Sequence, residues 1–321
     1  MSSTSALLLF DSSHWGRLDI SGADRLRFLH NQTTNTFQLR QPGEGCETLF
    51  VTSTARTLDL ATAYIQADRV TLLLSPQRYQ YLLTWLDRYI FPADQVVLSD
   101  RTAETCCFRL LGSAAAEVLT SLGVDSLPET EHAHHSGTIA AIPVLVARGS
   151  GLSQPGFTLI AAQADHDALQ DLLLHPPSQE SPQVLEAEDW EALRIRDGRP
   201  AADRELTEDY NPLEAGLWQT LSFDKGCYIG QETIARLNTY KGIKQRLWGI
   251  EFPQLPDLGP ILTEAGEKIG QLTSISRTAT GGFGLGYLRT KAGGEGLTVR
   301  VGDCTGTIVA VPFIHHELGE A

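Results

Sequence analysis

Hydrophobic and polar positions alternate or cluster along the first third of this chain in a way that mixes strands with helices. Gly16 to Gly22 reads as a strand running into a turn, and Ser21 can cap a helix over Ala23 to Leu29 whose buried side carries Leu26 and Leu29. Thr57 to Ile65 and Val70 to Leu74 alternate or run apolar as strands do, with Ala67-Asp68-Arg69 as a tight connection. Ser75-Pro76 then opens a helix through Tyr79, Leu82, Leu83 and Leu86, at helical spacing. A strand at Thr105 to Leu111 leads into a short helix at Ala114 to Leu122.

The middle of the chain is less regular. Leu127 to Gly137 is polar and reads as a loop, and His175 to Pro182 reads as a linker or surface loop. Val184 to Arg196 returns to a helical pattern, with Trp190, Leu193 and Arg194 on neighbouring positions. From Gln245 the texture changes to short strand-like pieces separated by glycine and proline turns. These are Arg246 to Phe252, Lys268 to Ile275, Gly284 to Leu288, Leu297 to Val301 and Gly306 to Val311. Repeated short strands at that spacing predict a small barrel or sandwich. The expected boundary lies near Gly242, giving domains 1–242 and 243–321.

Composition narrows the class. A hydrophobic share of 42% with 20% charged residues is that of a soluble globular protein, and 321 residues suffice for about two domains. The net charge of −14 argues against a general binder of nucleic acid or of an anionic membrane, since both need a positive surface. Met1-Ser2-Ser3-Thr4-Ser5 lacks a cationic leader, and the longest apolar stretch, Ile139 to Ala147, is too short to span a bilayer. Five scattered cysteines without a CxxC suit reduced thiols in a cytoplasm better than a disulfide framework.

Candidate chemistry concentrates in Asp224-Lys225-Gly226-Cys227-Tyr228-Ile229-Gly230-Gln231-Glu232. Here a cysteine stands beside a cation, between two glycines, just before a helix predicted from Ile234 and Leu237 on one face. The positive end of the helix dipole and the charge of Lys225 both favour the thiolate, the form that attacks electrophiles and binds metals. A buried cysteine in a glycine-bounded turn is the plainer alternative. From Lys225 to Arg246 the chain carries Lys225, Arg236, Lys241, Lys244 and Arg246 against Glu232 alone, a local reversal of sign. That cluster is either a solvated basic face or a site for a small acidic ligand close to the thiol.

Other candidates carry less. Glu131-His132-Ala133-His134-His135 lacks partner cysteines or carboxylates at ligand spacing, so a solvated loop is expected there and no metal site. Cys106-Cys107 lies in a predicted strand and points to opposite faces, which disfavours a redox pair and makes one of the two a core residue. Gly281 to Gly286 is expected to be a hairpin turn, because it is not a strand–turn–helix nucleotide fingerprint. No Walker loop, HExxH or GxSxG occurs.

The segment Lys225-Gly226-Cys227-Tyr228-Ile229-Gly230-Gln231-Glu232 matches the KGC[YF]xGQE signature of the YgfZ family, folate-binding proteins related to the glycine-cleavage T-protein, an aminomethyltransferase. Asn211 to Leu217 resembles the TPxEAGL segment of the T-protein, and Ala192-Leu193-Arg194 with Gly198 resembles its SLRxExG helix. Leu18 to Asp24 with Phe28-Leu29 resembles the opening of the superfamily, and Gly270 to Ser274 the GxVTS of its C-terminal barrel.

The resemblance implies an α+β fold in which two interleaved α+β subdomains and a C-terminal β-barrel surround a central folate hole. It implies tetrahydrofolate as cofactor, and a role in assembly, maintenance or repair of iron–sulfur proteins, with those proteins or their assembly factors as partners. Cys227, with Lys225 beside it, would carry the chemistry. Asp59, Arg194, Gln231, Glu232 and Arg236 would serve the cofactor. Departures bear on the reaction. The T-protein's aspartate pair appears as Leu58-Asp59, and the glutamate that grips the pterin is replaced by the neutral Thr158. The T-protein lacks the cysteine. Aminomethyl transfer, or another one-carbon transfer on tetrahydrofolate, therefore stands as the alternative to the iron–sulfur role.

Overall fold

A computed structural model describes residues 6–178, 180–240 and 242–316. Met1 to Ser5 and Lys241, both used above, lie outside the described residues. In chain order the elements are β1 (Leu8–Asp11), β2 (Gly16–Ser21), α1 (Arg25–Gln32), β3 (Gly45–Val51), β4 (Thr57–Ile65), β5 (Arg69–Leu74), α2 (Tyr79–Asp87) and β6 (Val97–Asp100). There follow β7 (Thr105–Leu111), α3 (Ala115–Ser121), β8 (His134–Ile139), β9 (Ile142–Arg148), β10 (Gly156–Ala162), α4 (His166–Leu174) and β11 (Gln183–Leu185). The last are α5 (Ala187–Asp197), α6 (Gln231–Thr239), β12 (Gln245–Phe252), β13 (Pro260–Leu262), β14 (Lys268–Thr278), β15 (Gly281–Arg289), β16 (Thr298–Val301) and β17 (Cys304–Val309).

Contacts divide the chain into two compact units. One takes the residues up to Gln32, Thr36–Thr48 and Ala61–Glu186; the other takes Thr33–Asn35, Leu49–Leu60 and everything from Ala187. The boundary expected near Gly242 falls just before β12, but the unit that contains the barrel already begins at α5.

The first unit is built on two sheets. One runs β11-β1-β7-β10-β9-β8, and the other, β3-β4-β5-β2-β6, shares its β3 and β4 chains with the second unit. Every position of β4 is buried, as is nearly all of β7, so both faces of these strands are covered and their sequences run apolar rather than alternating. Cys106 and Cys107 do point to opposite faces, yet both are fully buried, each in its own apolar cluster. The histidine segment departs from the expected loop. His134 and His135 open β8, where the twofold alternation of a strand turns His134 inward against the edge of the Tyr64 ring, at 5.4 Å between centroids.

In the second unit, strands β12-β15-β14-β13-β16-β17 close into a barrel. The strand expected at Gly284 to Leu288 is present, and the turn expected at Gly281 to Gly286 is instead the first part of the same strand, β15. A Cβ at Gly284 would lie 2.7 Å from Leu272 Cδ1, and one at Gly286 would lie 2.8 Å from Ile261 Cδ1. Small residues let β13, β14 and β15 approach closely over the filled barrel interior. The unit's larger core joins Leu49, Val51 and Leu60 to Ile195, Trp218, Tyr228, Ile234 and Leu285.

Candidate functional site

The conspicuous cysteine lies on a loop fastened at both ends. Leu221 and Tyr228 are buried, Cys227 is exposed, and α6 begins after Gly230. Gly230 has φ of 83°, a left-handed conformation, and a Cβ there would lie 2.8 Å from the carbonyl oxygen of Thr52. Glycine is therefore required both by the backbone and by the hairpin tip beneath it. Helix α6 follows the predicted face: Ile234 is fully buried and packs in the core.

Lys225 turns inward. Its ammonium donates to the carbonyl oxygens of Thr33 at 2.7 Å and Asn35 at 2.5 Å, and sits 4.6 Å from the centroid of the Tyr228 ring. The same 33–35 segment receives Ser222 N–H on Thr34 O, and Thr34 Oγ1 donates to Thr220 O at 2.8 Å. Gln231 Nε2 donates back to Lys225 O at 3.3 Å. Burial raises the Tyr228 hydroxyl to about 12, so it stays protonated. The lysine thus fastens the loop to a backbone platform, where the sequence suggested a free charge beside the thiol. The basic segment is also not one face. Lys225 is internal, Arg236 and Lys244 are exposed, and Arg246 is half-buried.

Arg194 is a correction of a different kind. On α5 it is buried, with Nε and Nη2 donating to the two carboxylate oxygens of Glu191 at 2.8 and 2.6 Å. Nη1 donates to Arg199 O at 2.7 Å and Glu205 Oε2 at 3.0 Å, and Nη2 to Ser274 Oγ at 3.0 Å. All five guanidinium hydrogens are thereby matched to acceptors inside the protein, so Arg194 organises the unit rather than touching a cofactor. Burial works against its charge, but Glu205 and Glu191 outweigh this and raise its pKa. Burial likewise pushes Glu191 upward, and the bond and charge of Arg194 outweigh that, leaving it below the usual carboxylate range.

Glu205 completes the network and sequence reasoning missed it. It is fully buried and accepts from Thr273 Oγ1 at 2.7 Å, Ser274 Oγ at 2.6 Å and Ala201 N–H at 3.1 Å. Its own carbonyl takes the Tyr287 hydroxyl at 2.8 Å, and Tyr287 stacks on Tyr210 with 3.5 Å between centroids. Nothing in Asp203-Arg204-Glu205 marks the glutamate as internal; only partners 68 and 69 positions away do so.

The remaining expected residues fall in distinct places. Asp59 is fully buried on β4, with Oδ1 accepting the N–H of Leu60 at 2.9 Å. The start of that strand is fixed by Thr57, whose N–H donates to Tyr210 O and whose hydroxyl donates to Thr207 O at 2.8 Å. Glu232 and Arg236 are exposed on α6, four residues apart and hence on one side of the helix. Asn211 to Leu217 is a buried turn in which Asn211 Oδ1 accepts the N–H groups of Leu213 and Glu214. Thr158, in the other unit, is buried and its hydroxyl donates to Gly149 O at 2.8 Å. Among the described residues no group of three or more His, Cys, Asp or Glu is arranged to hold a metal ion. No helix among them is long and apolar enough to cross a membrane.

Comparison with known proteins agrees with this architecture. The model of the GCVT N-terminal domain family matches residues 3–225. A chloroplastic protein of Arabidopsis thaliana, whose name carries only a general transferase assignment, is 42% identical over 96% of this chain and 71% of its own length. An aminomethyltransferase of Shouchella clausii is 30% identical over 88% of this chain and 78% of its own. The crystal structure of the glycine cleavage system aminomethyltransferase T from Bartonella henselae superposes with a TM-score of 0.85, covering 98% of this chain and 88% of that one, at 20% identity. The fold is that of the glycine cleavage T protein, and the chain belongs to the GCVT domain family.

Proposed function

We propose that this protein binds tetrahydrofolate and acts as an accessory factor in the assembly, maintenance or repair of iron–sulfur proteins, with Cys227 as its functional thiol. The observation that carries the reading is the setting of that thiol. Of the five cysteines, three are buried and Cys304 is half-buried, while Cys227 alone is exposed. Its loop is anchored from within by Lys225 and ends at Gly230, whose left-handed backbone only glycine adopts without strain. A reactive group presented to a large partner needs both exposure and a fixed position.

For the cofactor, α6 offers Glu232 as an acceptor for the guanidine-like edge of a pterin and Arg236, one turn on, as a donor to the adjacent pterin carbonyl oxygen. Asp59 offers a buried carboxylate on β4. Gln231 fastens the loop. Arg194 leaves the cofactor set. Tetrahydrofolate, where bound, supplies a one-carbon carrier. A single thiol cannot hold an ordinary cluster, which takes four ligands, so Cys227 would act on a cluster only together with groups of a partner. Five scattered cysteines without a CxxC suit a reducing compartment such as the cytoplasm.

Calorimetric titration with tetrahydrofolate tests the cofactor directly. Micromolar binding weakened by Arg236→Ala and Glu232→Gln is expected; no saturable heat with folded protein would remove folate from the account. The likeness to named aminomethyltransferases keeps a second reading, one-carbon transfer on tetrahydrofolate. The neutral Thr158, already committed to Gly149 O, weighs against it. Asp59-dependent formation of methylene-tetrahydrofolate from an aminomethyl-lipoyl carrier protein would establish that second reading.

A further inference from the structure

The first unit contains a cleft that the site above does not use. It lies between its two sheets, beyond the apolar plug of Tyr64, Leu73, Cys107, Ala147 and Ile160, and encloses about 320 Å3. That volume is at the lower end of the range for small-molecule pockets. Val144, Leu145 and Ile160 give the cleft an apolar wall, while Arg17, Arg69 and Arg101 face it against the single carboxylate of Asp19. Three guanidiniums around one small cavity are notable in a chain of net charge −14.

Arg17 is the informative one. It is 1% exposed, and every acceptor of its hydrogen bonds is neutral: Thr105 Oγ1 at 2.6 Å and the carbonyl oxygens of Trp15, Ser13, Thr102 and Thr105. A buried cation whose partners are neutral carbonyls and a hydroxyl is held in position and keeps its charge, which favours an anion in the cleft. Arg69 and Arg101 are the movable pair. Arg69 Nε reaches Asp19 Oδ2 at 3.3 Å and its Nη1 reaches the exposed Asp68, while Arg101 Nη1 holds the exposed Glu104 at 2.9 Å. The pairs with Asp68 and Glu104 are water-exposed, hence weak, and exchange readily for a better-placed anion. Asp19 is engaged by Thr71 Oγ1 at 2.5 Å, with Gln66 Nε2 donating to the same hydroxyl at 2.8 Å.

We propose that this cleft binds a small organic anion, with a carboxylate head between Arg69 and Arg101, in the field of the buried Arg17, and an apolar body against Val144, Leu145 and Ile160. The proposal is independent of the Cys227 loop and of the folate reading. Three probes separate its parts: hexanoate has both head and body, inorganic phosphate only charge, hexan-1-ol only the body. Calorimetry at low ionic strength should give saturable one-to-one binding of hexanoate, at about millimolar strength or tighter for so small a ligand. Phosphate and hexan-1-ol should each bind at least about tenfold more weakly. The double variant Arg69→Ala/Arg101→Ala should lose about tenfold or more. Ala162→Glu, at an exposed position on the cleft rim, should abolish binding without touching the core. Cys227→Ala should bind hexanoate like the wild type. Absence of saturation by hexanoate, equal binding of phosphate or hexan-1-ol, or unchanged affinity in the folded variants would overturn the proposal.

Discussion

At the scale of single residues, Lys225 and Arg194 are both internal cations whose removal strands something else. Lys225 holds two carbonyls with charge-assisted bonds, so Lys225→Ala should cost about 2 kcal/mol in urea unfolding and loosen the loop around Cys227. Lys225→Arg should not restore the site, since a planar fork cannot reproduce the two contacts of a compact ammonium. Arg194→Ala leaves the fully buried Glu205 without its counter-ion and should cost about 3–5 kcal/mol. An Arg194 variant that retained full stability would contradict the structural role assigned to it. Cys227 was legible in the sequence as the residue of interest because its neighbours are unusual. The roles of Lys225 and Arg194 were not, because what each side chain reaches is set by backbone and acid groups brought in from elsewhere, such as Thr33 and Glu205.

At the scale of elements, the turn before α6 is the most constrained local feature. Gly230→Ala forces a side chain into a left-handed backbone and against Thr52 O, which should destabilise the protein by about 1–3 kcal/mol. A thermal midpoint unchanged from the wild type would show that the turn relaxes. Period and breaker signals located β4, β7, α2 and the barrel strands β12, β14 and β16, since each carries a clear alternation or an unbroken apolar run. They failed where side chains are small or polar. Gly284 to Leu288 reads as a strand, yet the run Gly281 to Gly286 also reads as a turn until the neighbouring strands are seen to need its missing Cβ atoms. The histidines of β8 look like a solvated loop until Tyr64 covers His134. Helix α4 was hidden in a stretch whose polar residues mask the buried Leu169 and Leu173.

For the whole molecule, pH provides a test of how the first unit is tied together. His166 Nε2 meets Asp11 Oδ2 at 2.9 Å, joining α4 to β1, while Nδ1 meets Asp167 Oδ1 at 2.7 Å. Burial lowers the His166 pKa, but the hydrogen bonds and charges of Asp11 and Asp167 overcome this and raise it above 6.5. Burial raises that of Asp11, and hydrogen bonds from Ser13 and His166 overcome this and lower it below 3.8. The histidine's contribution is full below 6.5 and is lost as pH rises through its folded value; that of the aspartate is full above 3.8 and is lost as pH falls through its folded value. The difference in thermal midpoint between wild type and His166→Gln should therefore be greatest near pH 5, inside that window, and shrink on both sides. A difference independent of pH would show that the link is not ionic.

Cys227 is exposed on a loop that Lys225 anchors from within, and the proposal is that this thiol carries the chemistry. The direct measurement is the activity of an iron–sulfur enzyme in a strain deleted for this protein and complemented with the wild type or Cys227→Ala. Because Cys227 is exposed, the alanine variant should fold with stability within about 0.5 kcal/mol of the wild type. The wild type should restore the enzyme activity and the folded alanine variant should not. Full restoration by Cys227→Ala would contradict it.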